Sequence, residues 1–147
     1  MLRMSDLYAY IHTVLREDAV IRELMGFDNS TTLEEYARRI QKKRRPTELV
    51  KPNLPIISFY ANPGVRGENH LEYMVAFDFD IYVISGDEET AINLADRINE
   101  IFEEQYIGLK CVNSFKSMFL TMGEVETDQE DVYKFFTQIL FTIGLEG

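Results

Sequence analysis

The chain has 147 residues, 46% of them hydrophobic and 12% aromatic, and a formal net charge of −10. That composition supplies one core able to bury roughly two thirds of the unfolded chain's surface, and it excludes a disordered chain. No apolar run approaches the roughly 20 residues of a membrane span and no signal-peptide core opens the sequence, so no membrane association is expected. The single cysteine, Cys111, allows neither an intrachain disulfide nor a thiolate metal cluster, and a reducing cytoplasm fits best.

In chain order, Ser5 is placed to cap a first helix with Leu7, Ile11, Val14 and Leu15 on one stripe. Asp18 restarts the helix as AVIRELM, and Gly26 is placed to stop it. His12 lies beside the stripe without a His, Cys or acidic partner at ligand spacing, so it reads as structural. A polar turn follows, and Thr31 with Glu34, or Thr32 with Glu35, forms a capping box before LEEYARRIQKKRR. This helix ends in six cations within eight residues: Arg38, Arg39, Lys42, Lys43, Arg44 and Arg45. They either offset the helix dipole in solvent or form a contact arm for an acidic neighbour or phosphate.

All four prolines lie between Pro46 and Pro63. They keep residues 46–55 extended, so 31–53 reads as a basic helix and linker inserted into one domain spanning 1–147. Residues 55–61 form a first strand. The loop 62–70 follows, with Gly64, Val65, Arg66, Gly67 and Glu68 at its tip.

Then comes the longest alternation in the chain, LEYMVAFDFDIYVI over 71–84. Its odd positions are all apolar, which marks a strand with one face on a core. A strand of that length must bend or outrun a small domain, and it invites a partner from outside. Residues 88–105 form a helix with Ala91, Leu94, Ala95, Ile98, Ile101 and Phe102 on one stripe. A third strand is expected over 109–122, interrupted near Asn113 and Ser114. The tip GEVETDQED holds five acids in nine residues, and 132–143 closes the chain as a second long strand. The expected fold is therefore α+β, a four-stranded, largely antiparallel sheet. The helix 88–105 lies across one face and the N-terminal helices pack beside it.

Charge is unevenly distributed. Residues 1–53 carry ten Lys and Arg against eight Asp and Glu, a net of +2; residues 54–147 carry five against seventeen, a net of −12. An acidic body argues against wrapping nucleic acid. No P-loop, GxGxxG, HExxH, CxxC or GxSxG is present, so no cofactor is implied. The one suggestive pair is Asp78 and Asp80, two carboxylates on one strand face about 6–7 Å apart. They could begin a two-metal nuclease site, but no third ligand at recognisable spacing completes it.

The opening that ends in DAVIRELMG resembles that of tail terminator proteins of long-tailed phages. So do the entry strand PIISF, the run AFDFDIYVIS into DEETAINLADRINEIF, and the closing YKFFTQILFTI. The resemblance covers nearly all of the chain as a pattern of elements. It implies a non-enzymatic structural protein, a hexameric ring that caps the finished tail tube and joins it to a head-completion or neck protein. DNA would pass through without specific binding, and the protein would be found in the virion after assembly in the host cytoplasm. The departure is the segment 31–51, longer and more basic than such proteins usually have. The cationic run and the tip 64–68 are the expected contact surfaces. A ferredoxin-like ligand-binding or regulatory domain and a metal-dependent nuclease stay open as alternatives.

Overall fold

The structure, a computed structural model, describes residues 3–67, 72–103, 105–109 and 112–144. Helices α1 (Met4–Glu17), α2 (Ala19–Met25) and α3 (Leu33–Arg39) come first. Ser5 lies inside α1, and Arg3 occupies the cap position with no side-chain cap bond. Asp18 does cap α2, accepting the Ile21 N–H at 3.1 Å, and Gly26 ends it at φ 76°, a left-handed conformation glycine adopts without strain. Thr32, not Thr31, caps α3 by accepting the Glu35 N–H at 3.2 Å.

Helix α3 stops six residues short of the expected end at Arg45. Ile40 adopts φ −125° and ψ 98°, and the chain enters β1 (Ile40–Gln41), which runs parallel to β2 (Ile56–Ala61). Ile40 is a β-branched residue with 1% of its surface exposed. Placing it in the sheet buries it against the core, whereas a continued helix would carry it past.

The remaining elements are β3 (Val65–Arg66), β4 (Glu72–Ile84), α4 (Glu88–Phe102), β5 (Gln105–Leu109), β6 (Val112–Val125) and β7 (Val132–Gly144). The sheet order is β1-β2-β4-β7-β6-β5, with β3 pairing β4 beyond the end of β2. It thus exceeds the four strands expected. The third strand of the sequence reading corresponds to β6, which runs without a break through Asn113 and Ser114, and β5 pairs antiparallel with it from residues at and just after the end of the expected helix. Helix α4 ends at Phe102, because 105–109 is taken by β5.

Of the two outcomes that the length of β4 left open, bending or outrunning the domain, the second does not occur. Strand β7 pairs with it along its whole length, from Glu72↔Gly144 to Ile84↔Val132. Strand β6 matches β7 in turn, accommodating one extra residue near Leu120 in a bulge. The three long strands β4, β7 and β6 thus match one another in length within the sheet.

Odd residues of β4 face the helices. Leu7, Ile11 and Leu15 of α1 and Ala91, Leu94, Ala95 and Ile98 of α4 are fully buried against Val75, Phe77, Phe79 and Ile81. Arg97 of α4 donates to both carboxylate oxygens of Asp18, at 2.7 and 3.0 Å, and so ties the start of α2 to α4. That bidentate bond holds the Asp18 carboxyl below its usual range.

Candidate functional site

The even face of the sheet carries the polar residues. Asp78 Oδ1 accepts from Asn62 at 3.1 Å and from Gln138 at 2.8 Å, and its Oδ2 accepts from the Tyr60 hydroxyl at 3.1 Å. Asp80 is 3% exposed and meets Lys134 Nζ at 3.4 Å, an ion contact longer than a well-formed hydrogen bond. Burial raises the Asp80 carboxyl above the usual range, with Lys134 opposing. Burial, then the two carboxylates, push the Tyr60 hydroxyl up as well. Both carboxylates are therefore engaged by protein groups. Among the described residues no three His, Cys, Asp or Glu side chains cluster to hold a metal ion.

Residues 42–55 fold over this face as a strap. Gln41 anchors it, donating to the carbonyls of Arg38 and Thr47 at 2.8 Å each and accepting the Thr47 N–H at 2.9 Å. The Ser58 hydroxyl donates to the Lys43 carbonyl. Leu49 and Leu54 then pack on Ile56, Tyr82 and Val132. The segment expected as a linker is thus docked, with one 3-10 turn at Lys51–Asn53.

The six cations separate into distinct environments. Arg39 is drawn inside the domain and is discussed below. Arg38 is partly buried at the end of α3. Arg44 lies 4.3 Å over the Tyr60 ring and reaches Asn62 at 3.4 Å, so it holds the strap to the sheet. Lys42, Lys43 and Arg45 are exposed, Lys43 donating only to Thr47 at 3.2 Å.

Lys42 and Lys43 border a groove of about 600 Å³ between α1, α3 and β1, with Arg16 and His12 on its other side. His12 Nε2–H donates to the Ile40 carbonyl at 3.1 Å. Burial lowers its pKa, as do the nearby charges of Lys42 and Arg16. The structural reading of His12 agrees with this geometry. A second cleft, about 240 Å³, lies between Leu49 of the strap and Glu126 and Asp128 of the acidic tip.

At the other candidate contact, Gly67 N–H donates to the Glu72 carbonyl at 2.8 Å, and exposed Val65 and Arg66 pair with Met74 and Tyr73. Glu68 lies outside the described residues. Gly64 is fixed by close approach: an added Cβ would sit 2.4 Å from the Tyr73 ring and 2.7 Å from the Met74 carbonyl oxygen. Gly64→Ala is expected to unpair β3, at a cost of about 1–2 kcal/mol. Hydrogen exchange should show the Gly67 amide losing protection while the amides of β7 keep theirs. Unchanged protection at Gly67 would show that the tip accommodates the methyl.

Sequence reasoning missed one surface. Strand β5 pairs with β6 only as far as Ser117, so the outer edge of residues 118–125 has no strand beside it among the described residues. Met118, Leu120 and Met122 are each about 40% exposed there. The run SMFLTMG carried the signal, since its apolar positions outnumber those needed for one buried face.

No family model and no curated protein matches the chain. The fold does match solved structures. One is a chain of the virion of a native gene transfer agent particle, with TM-score 0.68 and 14% identity, covering 96% of each chain. Another, identified only by a sequence number, matches with TM-score 0.62 and 10% identity, covering 100% of this chain and 99% of that one.

Proposed function

We propose that the chain is a structural protein of a phage-like particle, a tail terminator. Six copies form a ring that caps the completed tail tube and joins it to a neck protein. The observation that carries this reading is the end-to-end likeness of its fold to a chain of a gene transfer agent virion, with neither chain having an unmatched domain's worth of sequence. The resemblance of the element pattern in the sequence points the same way. The protein is not an enzyme on this reading. Asp78 and Asp80 serve the sheet, bonded to Tyr60, Asn62, Gln138 and Lys134, and purified protein should leave DNA intact in Mg²⁺ or Mn²⁺.

A closed ring requires two different surfaces on each copy, one complementary to the other. The basic residues beside β1 and the β3 tip at Gly64–Gly67 are the proposed contacts with neighbours and with tail or neck proteins. A net charge of −10 lets DNA move through the ring without the gain from counterion release that holds it to cationic proteins.

The test is native mass measurement and negative-stain imaging of the purified protein, alone and with tail tubes that lack a cap. Rings near six times the 17.2 kDa of one chain, seated on tube ends, are the expected result. A chain that stays monomeric both alone and with tubes would overturn the reading.

A further inference from the structure

The groove between α1, α3 and β1 combines two chemistries. Leu33, Ala37 and Ile40 make it apolar, and Leu33 is 75% exposed. Arg16, Lys42 and Lys43 make its rim cationic. Among the described residues, neither Lys42 nor Lys43 forms an ion pair, and neither do Glu124, Glu126, Asp128 or Glu130 of the β6–β7 tip.

These unpaired charges lie on different parts of the molecule. The groove adjoins β1, the first strand of the sheet order, whereas the tip joins β7 and β6, the fourth and fifth. At about 4.8 Å per strand, β1 is separated from them by roughly 14–19 Å, and the tip projects beyond the strand ends. The tip also continues directly into β6, where Met122 is exposed on the face of α4, its Sδ 3.3 Å from Asn99, while the bulge near Leu120 puts exposed Met118 on the other face. Each surface thus pairs charge with exposed apolar side chains, in opposite sign.

We propose that the groove receives the acidic β6–β7 tip, residues 124–131, of a second copy of this chain. The contact is head-to-tail: each copy offers its tip to one neighbour and its groove to the other. Such a contact, used once toward each neighbour, closes into a ring or extends into a filament. The inference rests on the ring reading and assigns the surfaces that close it. Because its charges are exposed, the contact should weaken between 0.1 and 1 M salt, as the screening length falls from about 10 Å to about 3 Å.

Two variants test it, Lys42→Glu/Lys43→Glu and Glu126→Lys/Asp128→Lys. All four positions are exposed, so both should fold with wild-type melting curves. In sedimentation runs each variant alone should associate at least tenfold more weakly than the wild type. An equimolar mixture should recover assembly, because acidic tip then meets intact groove and reversed tip meets reversed groove in alternation. A wild type that assembles while the variants assemble equally well, or a mixture that stays dissociated, overturns this contact and leaves the ring reading standing. A wild type that never associates overturns both. Salt-dependent binding of duplex DNA by the wild type, lost in Lys42→Glu/Lys43→Glu without any change in assembly, would give the groove to phosphate instead.

Discussion

Phe79→Ala should destabilise the protein by about 3–5 kcal/mol, against the 5–15 kcal/mol that a domain typically has in hand. Phe79 is fully buried, and it is one link in a closed circuit of six aromatic rings. The circuit runs Tyr8–Phe59 at 5.6 Å between centroids, Phe59–Phe79 at 5.7 Å and Phe79–Phe102 at 5.8 Å. It returns by Phe102–Phe141 at 5.5 Å, Phe141–Phe77 at 5.3 Å and Phe77–Tyr8 at 5.1 Å. The rings come from α1, β2, β4, α4 and β7, so one truncation loosens the packing of both helices on the sheet.

Stacked and edge-on contacts at these separations add to the area buried, and a cavity among rigid rings collapses poorly. The expected fall in melting temperature is roughly 10–15 °C. Phe79→Leu keeps most of the volume and should cost less than half as much. Because Phe79 and Phe102 touch, the double alanine variant should cost less than the sum of the two singles. A loss below about 1 kcal/mol in urea unfolding of Phe79→Ala would show that the circuit adds nothing beyond ordinary packing.

Arg39→Ala should cost about 3–4 kcal/mol, because it leaves buried acceptors without donors. The Arg39 guanidinium donates to the Met25 carbonyl at 2.6 Å, to the Pro55 carbonyl at 2.9 Å and to Glu35 at 3.5 Å, and it lies 5.1 Å over the Phe27 ring. It therefore fastens the end of α2, the end of the strap and its own helix at one point. Burial lowers its pKa, yet an arginine stays charged under all working conditions. Arg39→Met separates packing from polar satisfaction. It keeps the stem against Phe27 and should still lose more than half of the alanine variant's deficit. Arg39→Met at wild-type stability, by thermal and urea unfolding, would show that the carbonyls find other donors.

These two residues mark the limits of what the sequence made legible. Phe79 belongs to an alternation so long that its face could be assigned from period alone, and the stripe on α4 placed the helix that covers it. Arg39 read as one of six equivalent surface cations. Nothing in RRIQKKRR says that the helix stops at Arg39, because the cause is distant: Ile40 pairs with Ile57 and gains a buried site. The strand count failed for a related reason. Strand β1 has two residues, too few for any periodicity, and the five residues of β5 follow α4 so closely that they did not stand out as a separate strand. The docking of the strap depends on Gln41, whose side chain replaces backbone partners for Thr47, and a single glutamine carries no such message. The exposed edge of β6 follows from where β5 ends, which is a property of the pairing and not of either strand's composition.

The position of β7 has a consequence for how the chain acquires this structure. It is the last of the described strands to be made, yet it sits in the middle of the sheet, joining Asp78 to Gln138 sixty positions away. Helix α4 and the β5–β6 hairpin lie within that span and depend on near neighbours, so they can form early. The central pairing must wait for a long loop to close, which slows folding of sheets dominated by distant contacts. Until then the inner edges of β4 and β6 stand open, and Val75, Phe77 and Phe79 lack the cover that Ile139, Phe141 and Ile143 of β7 add to the core. A nascent chain in that condition is prone to pair with other nascent chains. Slower synthesis at lower temperature should therefore favour soluble product more than any change to the finished surface.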